Sequence, residues 1–151
     1  SNTTGIMRCG IETDLELFLP SYYVSNVPER MDIYKRLSEI QDEKRIEEYE
    51  SELKDRFGKI PIATIALLES IRLKIIAEKL KCKKIILKQG KMIITFNHTI
   101  EQVVLNRVIQ LIQVNNSQNY AIKEVDDLVK LYVQNINNIY DALKILRKFD
   151  N

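Results

Sequence analysis

The stretch Ile85-Ile86-Leu87-Lys88-Gln89-Gly90-Lys91-Met92-Ile93-Ile94-Thr95-Phe96 predicts a β-hairpin. Ile85–Leu87 and Met92–Phe96 are β-rich segments, and Gly90 supplies the turn between them. Directly downstream, Thr99-x-x-Gln102 reads as a capping box that opens a helix running to about Gln113. Val103, Leu105, Val108, Ile109 and Ile112 make that helix largely buried. The pattern then returns. Tyr120–Val125 and Leu128–Val133, turned at Asp126-Asp127, predict a second hairpin, and Ile139, Leu143 and Leu146 mark a last helix over Ile136–Phe149. The two hairpin-then-helix units share architecture without residue identity.

Upstream, Asp14-Leu15-Glu16-Leu17-Phe18-Leu19 alternates with Leu15, Leu17 and Leu19 on one face, which predicts a strand ended by Pro20. Ser25 or Asn26 caps a helix from Pro28 to about Ile40, on the recurrence of Met31, Tyr34, Leu37 and Ile40. Asp42 caps a second helix, Glu43–Phe57, whose apolar stripe is Ile46, Tyr49, Leu53 and Phe57 and whose stop is Gly58. Pro61 opens a third, with Ile65, Leu68, Ile71, Ile75 and Leu80 at helical spacing. One strand, three helices and two ββα units predict an α+β fold in which helices cover a small, mostly antiparallel sheet. Residues 12–151 are expected to form a single domain, with residues 1–11 a linker and Ser1-Asn2 the scar of a cleaved expression tag.

A chain of 151 residues buries roughly 70% of the surface it exposes when unfolded, enough for a core without disulfides or metals. Its composition, 45% hydrophobic and 29% charged with four Gly and three Pro, is that of an ordinary globular domain. Cys9 and Cys82 fit no metal-ligand spacing and are too few for a secreted disulfide framework, so a reducing cytoplasm is expected. No apolar run reaches membrane-span length. There is no phosphate-binding loop, no G-x-G-x-x-G, no H-E-x-x-H and no G-x-S-x-G, which leaves nucleotide binding and common hydrolytic chemistry without support. His98, the only histidine, precedes a helix start and reads as a turn residue rather than a base or ligand. No catalytic residue and no metal site are expected.

The net charge of +2 hides an uneven distribution. Residues 28–57 hold ten acids against seven bases, and residues 72–91 hold eight bases against one acid, Glu78. Three features could carry function. The basic stretch Lys79, Lys81, Lys83, Lys84, Lys88 and Lys91 could neutralise phosphates, although its interleaved residues offer no aromatic for base stacking. At the end of the second helix, Glu52-Leu53-Lys54-Asp55-Arg56-Phe57-Gly58 sets Leu53 and Phe57 toward the core while Glu52, Asp55 and Arg56 project elsewhere. Glu52 and Arg56 at i,i+4 form an ordinary surface pair, or the three side chains meet a charged partner. Finally, Tyr22 and Tyr23 serve either as a contact patch or as packing across the first helix.

Taken together, Leu19-Pro20-x-x-Tyr23-Val24, Arg30-Met31-x-x-Tyr34-Lys35-Arg36-Leu37, Glu52-Leu53-x-Asp55-Arg56-Phe57-Gly58-x-x-Pro61, Leu68 and Arg72-Leu73-Lys74 resemble the C-terminal domain of bacterial transcription-repair coupling factors. The resemblance runs from about Asp14 to Phe149; its later half matches mainly in pattern. Two departures stand out. Glu16-Leu17-Phe18-Leu19-Pro20 replaces the D-A-Y-I-P frequent in the family, and Lys81-Cys82 replaces the usual Leu-Gly, removing a helix-stopping glycine.

The resemblance implies a parent protein that recognises stalled RNA polymerase, displaces it with an ATP- and Mg-dependent motor on double-stranded DNA, and recruits the excision-repair protein UvrA. It implies that this domain is non-catalytic, binds no cofactor itself, folds back on the parent's N-terminal UvrB-like module, masks the UvrA-binding surface and restrains the motor. By the E-L-x-D-R-F-G motif, the contact residues it implies are Glu52, Asp55 and Arg56. The alternative is a nucleic-acid or polymerase contact through Lys79 to Lys91.

Overall fold

The computed structural model describes residues 8–115 and 118–150; the expected tag scar at Ser1-Asn2 lies outside them. In chain order the elements are β1 (Gly10–Thr13), α1 (Val27–Glu39), α2 (Glu43–Phe57), α3 (Ile62–Lys79), β2 (Cys82–Lys88), β3 (Lys91–Phe96), α4 (Gln102–Val114), β4 (Tyr120–Val125), β5 (Leu128–Gln134) and α5 (Ile139–Phe149). This is the expected α+β fold. The chain divides into two compact units, one formed by Glu16–Ile75 and the other by the chain on either side of it.

In the unit Glu16–Ile75, helix boundaries follow local chemistry. Asn26 caps α1, its side chain accepting from the Glu29 N–H at 2.8 Å, and Pro28 stands in the first turn, where no intrahelical donor is needed. Asp42 caps α2 by accepting from the Lys44 N–H at 2.9 Å. Gly58, at φ 86°, ends α2 while its N–H returns to the Lys54 carbonyl at 2.9 Å. The core contains Leu19, Val24, Ile33, Leu37, Ile46, Tyr49, Leu53, Ile60 and Leu68. On α1 the buried pair is Ile33 and Leu37 at i,i+4, and Met31, expected on the apolar stripe, is half-exposed.

The strand expected over Asp14–Leu19 is corrected. Among the described residues the only ladder near it is β1, four residues earlier, so Gly10 and Ile11 belong to the sheet rather than to a linker. The alternation nevertheless matches the burial: Leu15, Leu17 and Leu19 are more covered and Asp14, Glu16 and Phe18 exposed. Its backbone groups are satisfied by other partners, however. Within this unit the Phe18 N–H donates to the Ala63 carbonyl at 3.4 Å, the Thr64 hydroxyl donates to the Phe18 carbonyl at 2.9 Å, and the Leu19 N–H donates to the Tyr34 hydroxyl at 2.7 Å.

The second unit is a five-stranded sheet in the order β1-β2-β3-β5-β4, antiparallel except for the β1–β2 pair. The rows Ile85–Ile94–Leu131 and Leu87–Met92–Val133 lie on one face and are fully buried. The buried residues of α4 (Val104, Val108) and of α5 (Ile139, Ala142, Leu143, Ile145, Leu146, Phe149) complete this core. Each full burial of such an aliphatic side chain stabilises by about 1.5–3 kcal/mol. The capping box at Thr99 does not form. Asn97 Oδ1 accepts from both the Thr99 N–H and its hydroxyl, and α4 starts after Glu101 without a side-chain cap. Nor is α4 buried all round, since Val103 and Ile109 are exposed and the inward stripe is Val104 and Val108. The last helix begins at Ile139, capped by Asn138, three residues later than expected.

Both hairpins close through two residues with positive φ, Gln89 (53°) and Gly90 (74°) in the first and Asp126 (53°) and Asp127 (65°) in the second. This is the primed-turn geometry that matches the right-handed twist of the strands. A Cβ on Gly90 would also meet Asn137 Oδ1 at 2.8 Å. Gly90→Ala is therefore expected to destabilise the fold by about 1–2 kcal/mol, and Asp127→Gly to stabilise it by about 0.5–1 kcal/mol. Urea-unfolding midpoints of the two variants check the opposite signs.

Candidate functional site

Glu52, Asp55 and Arg56, singled out from the sequence, lie on the last two turns of α2 and line one concavity of about 360 Å³. Asp32 and Arg36 of α1 and Arg45, Tyr49 and Leu53 of α2 complete its lining. Spacing explains the convergence within α2. Tyr49 and Leu53 are one turn apart on the buried stripe, and Arg45, Glu52 and Arg56 flank that stripe.

The ion pairs are not the ones expected. Glu52 and Arg56 do not pair with each other; Glu52 accepts from Arg45 Nη1 at 3.0 Å, and Arg56 pairs with Glu29 of α1. Arg45 also approaches Glu48 at 3.5 Å and stacks over the Tyr49 ring at 5.4 Å from its centroid. Arg56 lies over the Phe57 ring at 4.7 Å, and Arg36 donates to Asp32 at 2.7 Å. Asp55 has no ion-pair partner among the described residues. The lining thus sets three carboxylates (Asp32, Glu52, Asp55) against three guanidiniums (Arg36, Arg45, Arg56), a mixture that suits a charged protein surface rather than a phosphate.

Burial shapes the electrostatics of the floor. Tyr49 is almost completely covered, which pushes its phenol above the usual tyrosine range, with the Arg36 charge pulling the other way. The hydrogen bond and charge of Asp32 raise Arg36 further. The surrounding pairs are about half exposed, so solvent screening leaves each a small contribution to stability. Nothing here amounts to a general base.

Sequence reading missed Asp32, Arg36 and Arg45. The Asp32–Arg36 spacing of i,i+4 and the Arg45–Glu52 spacing of i,i+7 were visible signals of one helix face. The Arg56–Glu29 pair was not, since it joins two helices. The tyrosine segment resolves into two roles. Tyr23 packs against Phe57 at 5.7 Å between centroids and directs its hydroxyl to the Gly58 and Leu53 carbonyls at 2.9 and 3.2 Å. Tyr22 is 81% exposed.

The lysine stretch does not form one patch. Lys79 ends α3 and pairs with Asp150 at 3.4 Å, Lys81 takes the left-handed conformation (φ 65°) that the family's glycine would favour nearby, and Lys83 falls at a register shift in β2. Lys84 and Lys88 point to the same face and share Glu12 at 2.8 and 3.7 Å, while Lys91 opens β3. The hydrogen bond and charge of Lys84 hold the Glu12 carboxyl below its usual range. His98 is exposed in the turn before α4. Cys82 is buried, and burial together with nearby Cys9 pushes its thiol well above the ordinary range, away from nucleophilic use. No group of three or more metal-ligating side chains occurs among the described residues, and none of their helices is long and apolar enough to cross a membrane.

The fold is an α+β domain with a charge-balanced concavity at the end of α2. The TRCF domain family model matches residues 13–105, and the chain belongs to that family. Its relatives include the transcription-repair-coupling factors of Borreliella burgdorferi (31% identical over 106 residues, 68% of this chain and 9% of that protein) and Escherichia coli K12 (36% over 78 residues, 49% and 7%). That of Rickettsia typhi is 31% identical over 75 residues, 50% of this chain and 7% of that protein. The chain therefore spans less than a tenth of these relatives' length. The crystal structure of the C-terminal domain of a transcription-repair coupling factor matches with a TM-score of 0.80 and 25% identity, covering 95% of this chain and 90% of that one.

Charges that hold the fold are separable from those of the concavity. Arg72 is 15% exposed and pairs with Glu69 and, at 3.4 Å, with Glu50; burial works against its charge, but the two glutamates hold it above the usual arginine value. Arg72→Met leaves two partly covered carboxylates unpaired and is expected to cost about 2 kcal/mol. Asp55→Lys is expected to change stability by less than about 0.5 kcal/mol. Chemical denaturation of both variants measures the contrast.

Proposed function

We propose that this chain is the non-catalytic regulatory domain of a transcription-repair coupling factor, and that the end of α2 docks on the N-terminal UvrB-like module of the same protein. In that arrangement it covers the surface that binds UvrA and restrains an ATP-driven motor on double-stranded DNA until stalled RNA polymerase is engaged. The observation that carries the reading is the convergence of Glu52, Asp55 and Arg56 on one open concavity in a chain of the TRCF family.

The chemistry suits a releasable contact. Asp55 offers a carboxylate with no ion-pair partner among the described residues, and Glu52 and Arg56 are held by pairs weak enough to exchange for a partner's. A masked surface rich in arginine would find three carboxylates here, and the interspersed guanidiniums would fix the register by repelling misplaced cations. Affinity between separate pieces would be modest and salt-sensitive, and a covalent tether supplies the rest as effective concentration.

The test is binding of this chain to the separately expressed N-terminal module of the parent. Weak binding is expected, lowered at least tenfold by Asp55→Lys or Arg56→Glu. In the full-length protein, Asp55→Ala or Arg56→Ala is expected to increase UvrA binding in the absence of polymerase. Unchanged UvrA affinity would overturn the masking role.

A further inference from the structure

The sheet has a second face that the docking reading does not use. Buried residues alternate with a set that points the other way: Lys84, Ile86 and Lys88 on β2, Lys91, Ile93 and Thr95 on β3, Lys130, Tyr132 and Gln134 on β5, and Ala121 and Lys123 on β4. The register arranges these in cross-strand rows. The middle row is Ile86–Ile93–Tyr132, apolar and half-buried. On one side lies Lys84–Thr95–Lys130–Lys123 and on the other Lys88–Lys91–Gln134. Thr95, only 8% exposed, is in register between Lys84 and Lys130.

We propose that this face binds single-stranded nucleic acid, with bases over the Ile86–Ile93–Tyr132 row and phosphates on the flanking lysines. Five lysines face one acid on the strands, Glu12, which bridges Lys84 and Lys88. That excess of one sign is what a polyanion needs, in contrast to the balanced concavity on α2. The apolar row selects among polyanions. A duplex presents phosphates and sugars to a flat sheet and leaves the row unfilled, whereas an unpaired strand offers the π-faces of its bases. Lys123 Nζ stands over the Tyr132 ring, 5.0 Å from its centroid, so one face of the half-buried ring already receives a cation. An incoming base takes that position, and Lys123 moves to the adjoining phosphate.

The linear stretch Lys79–Lys91 carries no aromatic; Tyr132, Lys123 and Lys130 come from the second hairpin and join it only through the β3–β5 and β4–β5 ladders. Lys79, Lys81 and Lys83 fall outside the face.

The experiment is a fluorescence-anisotropy titration of the 151-residue chain with a labelled oligothymidylate of about 15 nucleotides. A duplex of equal length is run beside it, and polyglutamate serves as competitor. Binding of the single strand is expected at low salt, with log K falling against log salt at a slope near −3.5 for five contacts, about −0.7 each. Lys84→Gln with Lys130→Gln should flatten that slope by about 1.4. Tyr132→Leu should weaken binding about tenfold at unchanged slope, and Tyr132→Phe should restore it. The lysine pair tests the face even where Tyr132→Leu lowers stability, because its side chains are partly solvated. No binding at low salt, or binding indifferent to both sets of variants, overturns the proposal. Equal affinity for the duplex overturns its single-strand specificity, and displacement by polyglutamate at equal charge assigns the face to an acidic protein segment instead. Asp55→Lys serves as the control: it lies outside this face, so failure here and failure of the docking reading are told apart.

Discussion

One phenol governs the end of α2. The Tyr23 hydroxyl lies 2.9 Å from the Gly58 carbonyl and 3.2 Å from the Leu53 carbonyl, joining the last turn of the helix to the residue that ends it. A helix end normally frays because its last carbonyls have no partner. Here the Gly58 N–H closes on the Lys54 carbonyl, and the Tyr23 ring packs on Phe57 beside that turn. Partial burial pushes the Tyr23 phenol above its usual range, so it remains a donor throughout the neutral range. Because Gly58 supplies the left-handed turn directly after Phe57, the helix stops at a fixed residue. Asp55 and Arg56 are one turn or less from that stop, and their placement in the concavity depends on it. Tyr34 plays the matching part for the chain entering this unit, accepting from the Leu19 N–H in place of a strand partner.

Much of this was legible because it is local. Asp42, the stripe Ile46–Tyr49–Leu53 and Gly58 mark α2 to the residue, and both hairpins follow from β-rich segments around turn residues. The failures share a different cause. At Asp14–Leu19 the alternation gave the right pattern of burial, but whether such a segment joins a ladder depends on a partner distant in sequence. At Thr99 a nearer acceptor, the Asn97 side chain, took the backbone N–H that Gln102 would have accepted from and also engaged the hydroxyl that would have capped the Gln102 N–H. The missing family glycine falls at Cys82, which begins β2, while the positive φ after α3 is taken by Lys81 one residue earlier.

The functional residues divide along the same line. Glu52, Asp55 and Arg56 were named from a motif, and the concavity they line was half visible in the i,i+4 and i,i+7 spacings of its other charges. The partner of Arg56 was invisible, because Glu29 is 27 residues away and reaches it only across two helices. The five-lysine face lay further out of reach. A sheet face is assembled by register, and a one-residue slip of β5 against β3 would send Lys130 and Tyr132 to the buried side. A linear run such as Lys79–Lys91 therefore overstates some members and omits others.

The two surfaces obey different electrostatic logic. A balanced cluster gains little from long-range attraction, since its summed charge is near zero, and its selectivity comes from short-range complementarity that fails when the register is wrong. A face of one sign behaves oppositely, attracting any polyanion from a distance and discriminating only through what lies between its charges, here the apolar row ending in Tyr132. Added salt weakens both, but in different ways. It screens the exposed pairs of the α2 site gradually, whereas on the lysine face each counterion released on binding enters the equilibrium directly and steepens the dependence. A regulatory contact meant to open under a competing interaction belongs on the first kind of surface. Its strength is set by a few exchangeable pairs, so a competitor with modest differential affinity is enough to shift the population.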